Sequence, residues 1–153
     1  MTNTARAASR RLAAAICLLL PLFFGGAATA ADTVTVSDAW SRALPPVVKV
    51  GAAYLTIANA GSQGEVLVSA DASIAERVEL HEHAHVDGMM QMRQVTSVPV
   101  PPGASVAFKP HGLHLMLFGL KAPLKAGSHF ELTLHLESGK RLQVTVPVLK
   151  EAP

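Results

Sequence analysis

Cysteine is the first scarcity in this 153-residue chain, which has only Cys17. That residue falls in a segment with the three parts of an export signal: a basic region at Arg6, Arg10 and Arg11, an apolar run from Leu12 to Phe24, and the small-residue site Ala28-Thr29-Ala30. The run is shorter than the roughly 20 residues a membrane span needs. Residues 1–30 are therefore expected to be a cleaved signal peptide, and 31–153 a single exported domain. Arg10-Arg11 suggests a twin-arginine route, but Ala13 stands where those signals carry a large apolar residue, so ordinary secretory export is favoured. A lipid anchor on Cys17 is not expected, because it lies inside the apolar run directly after bulky Ile16. The mature domain then has no disulfide and no thiolate, so core burial alone must hold it together.

Charge of one sign is also lacking. Without the three leader arginines, ten Lys/Arg face eleven Asp/Glu, a net charge of −1 with neutral histidines. No basic run or interleaved aromatic pattern remains to engage nucleic acid. Aromatic residues make up only 5% of the chain, too few for an aromatic ligand groove. No second long apolar run follows the leader, so no membrane span remains after cleavage. No serine or cysteine nucleophile motif is present and the carboxylates are scattered, so an enzyme is not expected.

What is abundant is short β-branched runs separated by turn chemistry. Nine strands are expected: 34–40, 51–59, 65–70, 76–86, 89–95, 105–110, 114–120, 129–137 and 141–149. PVPPG at 99–103 reads as a turn, and a short helix is possible around 71–78. This pattern predicts an all-β antiparallel sandwich or Greek-key barrel.

The chemistry concentrates in LHEHAHVDGMMQM, residues 80–92. Asp87-Gly88 is a two-residue hairpin signal. With it as the turn, paired positions sum to 175, so Val86 faces Met89, His85 faces Met90 and His83 faces Met92. Alternation then places His81, His83, His85, Met90 and Met92 on one face, and Glu82 opposite Arg93 on the other. In GLHLMLFGL, the leucines 113, 115 and 117 share one face and His114 and Met116 the other. Any one of these residues is ordinary strand packing or a solvated face. Together, a His/Met set without cysteine points to copper, because thioether sulfur is a soft donor suited to Cu(I) whereas Zn(II) favours imidazole, thiolate and carboxylate. Neutral donors bind less tenaciously than thiolates, as a carrier requires. A blue-copper electron-transfer centre needs a thiolate and is excluded.

The spacing His81, ten residues, Met92, twenty-one residues, His114-Leu115-Met116 resembles the H-x10-M-x21-H-x-M pattern of the periplasmic copper chaperones called PCu(A)C. DAWSRALPP, GAAYLTIAN, VELH, DGMMQMRQV, GLHLMLFGL, PLKAG and VTVPV carry the likeness along nearly all the mature chain. The resemblance implies a cupredoxin-like β-sandwich and one Cu(I) held by His81, Met92, His114 and Met116. It also implies delivery to the CuA-bearing subunit of cytochrome c oxidase, alongside a thioredoxin-like copper chaperone; a monomer is expected. Copper buffering or resistance, or a non-catalytic binding module with an incidental His/Met strip, is the alternative. Ser41 departs from the alanine common in Trp-Ala-Arg, and the chain ends VLKEAP without a His/Met-rich tail. His83, His85, Met90 and His111 are possible accessory donors for Cu(II) or Zn(II), with simple exposure the preferred reading of the histidines. His129 and His135 are assigned to an outer strand face.

Overall fold

The computed structural model describes residues 34–86 and 88–153, and the expected signal peptide lies outside them. Ten strands follow in order: β1 (Val34–Arg42), β2 (Val50–Asn59), β3 (Glu65–Ala72), β4 (Arg77–Val86), β5 (Met89–Gln94), β6 (Val98–Val100), β7 (Ser105–Phe108), β8 (His114–Phe118), β9 (His129–Leu136) and β10 (Arg141–Leu149). They pair in the order β5-β4-β8-β2-β1-β10-β9-β3-β6, with β7 also on β2. Antiparallel pairing prevails, and the one parallel strand pairing among the described residues, β1 to β10, holds only Ser41↔Val148 and Arg42↔Leu149. At that short link the path passes from one layer of the sandwich to the other. Among the described residues no helix is long and apolar enough to cross a membrane.

Alternation explains the layers. In β2 and β9 every second residue is buried, the period-two pattern of strands with one face on a core. Leu55, Ile57, Leu115 and Leu117 from one layer meet Leu67, Leu132, Leu134, Val146 and Val148 from the other, all at most 1% exposed. Each such side chain contributes about 1.5–3 kcal/mol by leaving water. Buried Asn59 is satisfied: it donates to the carbonyls of Gln63 and Val100 and accepts from Gly61 N–H. Fully buried Ser41 donates to Ala52 O at 2.8 Å, so the serine costs the core no unpaired hydroxyl.

The structure departs from the sequence reading in two places. The tenth strand, β6, occupies part of the expected turn at 99–103. It lies at the end of the strand order, where Val98, Pro99 and Val100 pair with β3, and an edge position tolerates a proline because no second neighbour needs its missing N–H. Residues 73–76 form turns between β3 and β4, not a helix. Trp40 is buried. A bulge in β1 between Ser37 and Trp40, with Asp38 at φ +52°, resets the alternation. The indole then lies against Tyr54 at 4.6 Å between ring centres.

Candidate metal centre

The hairpin forms in the expected register. Val86↔Met89, His85↔Met90, His83↔Met92 and Glu82↔Arg93 are all paired, and Gly88 takes φ +79°, the left-handed backbone that glycine adopts without steric cost. On the other side of β4, His81 faces His114 and Glu79 faces Met116. Three adjacent strands, β5, β4 and β8, thus present Met92, His81, His83, His114 and Met116 on one face, while Leu80, Leu115 and Leu117 enter the core.

His114 is 4% exposed. Its Nδ1 lies 2.9 Å from the Gly112 carbonyl, which only accepts, so Nδ1 carries the proton and donates. Burial lowers its pKa below the ordinary 6.5, nearby His83 and His81 act in the same sense, and the Gly112 bond opposes them. The ring is therefore neutral at neutral pH, with a bare lone pair on Nε2. That nitrogen meets Met92 Sδ at 3.2 Å. Neither atom has a proton to share, so the contact is two donors aimed at one place. Two ligands of one tetrahedral ion, bonded at about 2.0 and 2.3 Å, stand about 3.5 Å apart. Met92 reaches His114 across the intervening strand, as an unbranched side chain with three rotatable bonds can.

His81 is oriented by a carboxylate. Hydrogen bonds from His81 and Arg77 hold the Glu79 carboxyl below its ordinary 4.5, so it is ionised and accepts from His81 Nε2–H at 2.9 Å. The lone pair then sits on Nδ1, which is buried without a partner. An outer carboxylate fixing the tautomer of an imidazole is the usual support of a metal-ligating histidine. The His81 and His114 ring centres are 5.9 Å apart. Met116 is half-buried, diagonal to His81 across the β4–β8 pair, and borders a cavity of about 240 Å³ shared with Arg42, Leu44, Val50, Ala52 and Tyr54.

Among the accessory residues, His111 is exposed at φ +63° and Met90 is 51% exposed. The side chain of His85 lies outside the described residues. His83 departs from the exposed reading: it is half-buried, its Nδ1 has no partner, and its ring centre is 5.1 Å from that of His114 and 5.8 Å from that of His111. His135 Nε2–H donates to Asp71 Oδ2 at 2.6 Å on the far layer. Among the described residues no group of three or more His, Cys, Asp or Glu is disposed to hold a metal ion, so a centre here depends on methionine sulfur. Glu79 and the Gly112 carbonyl were not picked out from sequence. Both lie two residues before the histidine they orient, and period-two alternation was the signal available for Glu79.

The fold matches solved PCuAC domains. The copper-bound PCuAC domain from PmoF2 superposes with a TM-score of 0.65 at 18% identity, over 78% of this chain and 94% of that one. DR1885 of Deinococcus radiodurans, solved in solution as its Cu(I) form, superposes with a TM-score of 0.64 at 32% identity, over 82% of this chain and 84% of that one. The class is thus the cupredoxin-like β-sandwich of PCuAC domains. "Putative lipoprotein Lxx21020" of Leifsonia xyli is 38% identical over 119 residues, 77% of this chain and 70% of that protein. The chain belongs to the family described as "Putative lipoprotein LpqE-like", whose pattern matches residues 34–148.

Proposed function

We propose that this protein is a copper chaperone of the cell envelope that binds one Cu(I) through His81 Nδ1, Met92 Sδ, His114 Nε2 and Met116 Sδ. The contact between the bare His114 Nε2 and Met92 Sδ at 3.2 Å carries this reading, because two proton-free donors in contact are explained by a cation between them. The unpartnered Nδ1 of His81 supports it, as does the Cu(I) form of the 32%-identical DR1885. All four donors are neutral, so the ion keeps its charge and can pass to a site with thiolates. That property favours transfer to the CuA centre of cytochrome c oxidase, with a thioredoxin-like copper chaperone as the second partner. A site filled by four protein donors leaves no open position for a substrate, and no catalysis is proposed. Residues 1–30 direct export to the periplasm and are removed. Lipidation is not included, since Ile16 occupies the small-residue position before Cys17.

Anaerobic titration against a chromophoric Cu(I) competitor should find one Cu(I) per mature chain, lost in Met92→Ala and in His114→Ala. Binding that ignored both changes would falsify the ligand set. Mixing the Cu(I) form with the soluble CuA domain of the host oxidase then tests the recipient. Metal retained by the carrier would reject that destination while leaving the copper site intact.

A further inference from the structure

The cavity that Met116 borders has features of its own. Register sets Ala52 of β2 beside Met116 of β8 and Val50 beside Phe118, so the outer face of β2 continues the face that carries the proposed donors. The cavity holds about 240 Å³, less than the roughly 300–1,000 Å³ of small-molecule pockets. It suits one side chain better than a free ligand. Leu44, Val50, Ala52 and Met116 make its lining apolar, and Arg42 and Tyr54 supply the polar groups. Burial raises the Tyr54 pKa above its ordinary 10 and the Arg42 guanidinium opposes that rise, so the cation stands near the phenol. Arg77 and Arg93 on the same layer are each paired with a glutamate. Among the described residues Arg42 is paired with no carboxylate. The loop at 43–49 starts beside Leu44 and ends at Val50, and it carries exposed Val47 near its tip. An apolar pocket with a polar rim and uncovered apolar neighbours marks a place where another protein seats.

We propose that this pocket is the docking point of the protein that accepts the copper, seating one apolar side chain of that partner while Arg42 receives a carboxylate beside it. The inference rests on the copper-chaperone reading above and deepens it by naming the contact surface. A large apolar side chain in a desolvated pocket is the usual anchor of an interface. Charge complementarity selects its neighbour, because a guanidinium with no internal acid matches a carboxylate through two parallel hydrogen bonds. Position favours the copper acceptor over any other occupant. Met116 is both a wall of the pocket and a proposed ligand, so a partner anchored there is held against the centre from which the ion must leave.

The test mixes the Cu(I)-loaded mature protein anaerobically with the soluble CuA domain of the host oxidase and follows the initial rate at which metal changes hands. Arg42→Glu, which reverses the rim charge, and Val50→Asp, which puts a charge in the apolar lining, should each slow transfer by about tenfold or more, within the span over which interface variants alter association. Neither residue is a proposed ligand, so Cu(I) affinity should stay within about threefold, as for surface changes away from a site. Arg141→Glu makes the same charge change on exposed β10 of the other layer and should alter the rate by less than about twofold. If either variant loses its circular dichroism, amide shifts of the isotope-labelled wild-type chain on adding the CuA domain decide the matter. Changes gathered at residues 42–54 support the pocket, and changes confined elsewhere overturn it. Equal transfer rates for wild type, Arg42→Glu and Val50→Asp would overturn the docking surface and leave the chaperone reading intact. Metal retained by the wild type would overturn the destination, and this docking partner with it.

Discussion

Glu79→Gln isolates how far copper affinity depends on the groups behind the proposed ligands. The wild-type carboxylate accepts from His81 Nε2–H at 2.9 Å and from Arg77 Nε–H at 2.8 Å. Glutamine keeps the shape but removes the charge, and it offers the ring either a carbonyl or an amide. With the amide toward His81, Nε2 must accept, and the proton moves to Nδ1, the nitrogen assigned to copper. With the carbonyl toward His81 the tautomer survives, but the negative charge no longer strengthens the lone pair. Loss of such a partner typically costs about 10–100-fold in metal affinity, or about 1.4–2.8 kcal/mol. Arg77 does not compensate, because its side chain is 60% exposed and exposed ion pairs contribute little. Glu82→Gln is the control: Glu82 pairs with Arg93 at 2.6 Å on the opposite face of β4 and should change affinity by less than about twofold. Anaerobic Cu(I) competition on both variants gives the comparison. Equal affinities for the two, with unchanged circular dichroism, would refute the orienting role of Glu79.

Three further outcomes follow from the same geometry. Apo-protein stability should fall with acid in two windows. The folded His114 has a pKa below 6.5, so the unfolded chain takes up that proton first, and stability complete above 6.5 declines as pH drops from there through the folded value. Glu79 and Glu65 are held below 4.5, by His81 and Lys140 foremost, and their contribution, present above 4.5, is lost as pH falls through their folded values; urea midpoints between pH 8 and 3 measure both. Leu117→Ala removes a fully buried side chain from β8 and should cost about 2–5 kcal/mol in urea unfolding. Gly88→Ala meets no atom within 4 Å but keeps φ +79°, so backbone strain alone should cost about 1 kcal/mol, read by the same unfolding assay.

Much of the site was legible because a hairpin is local. Two turn residues set the pairing sum of 175, and period-two alternation then assigned His83 opposite Met92 and Glu82 opposite Arg93. The nine expected strands all formed for the same reason. What escaped depended on neighbours distant in sequence. Val98–Val100 is a strand because β3 offers it an edge, which PVPPG does not announce. The bulge at Asp38 that resets the alternation of β1 is likewise not announced by its residues. The bare nitrogens of His81 and His114 depend on Glu79 and on the Gly112 carbonyl, and side-chain identities along the chain do not specify tautomers.

The amino-acid order by itself determined the faces of the proposed donors: imidazoles and thioethers on alternate positions, leucines between them, and no thiolate to compete. Only the tertiary structure decided that β4 lies between β5 and β8, which brings Met92 against His114 and His81 opposite it. The physical reason is range. Alternation follows from backbone geometry within one strand, whereas strand order is selected by the mutual burial of leucines contributed by both layers, and that selection is made by the folded chain as a whole.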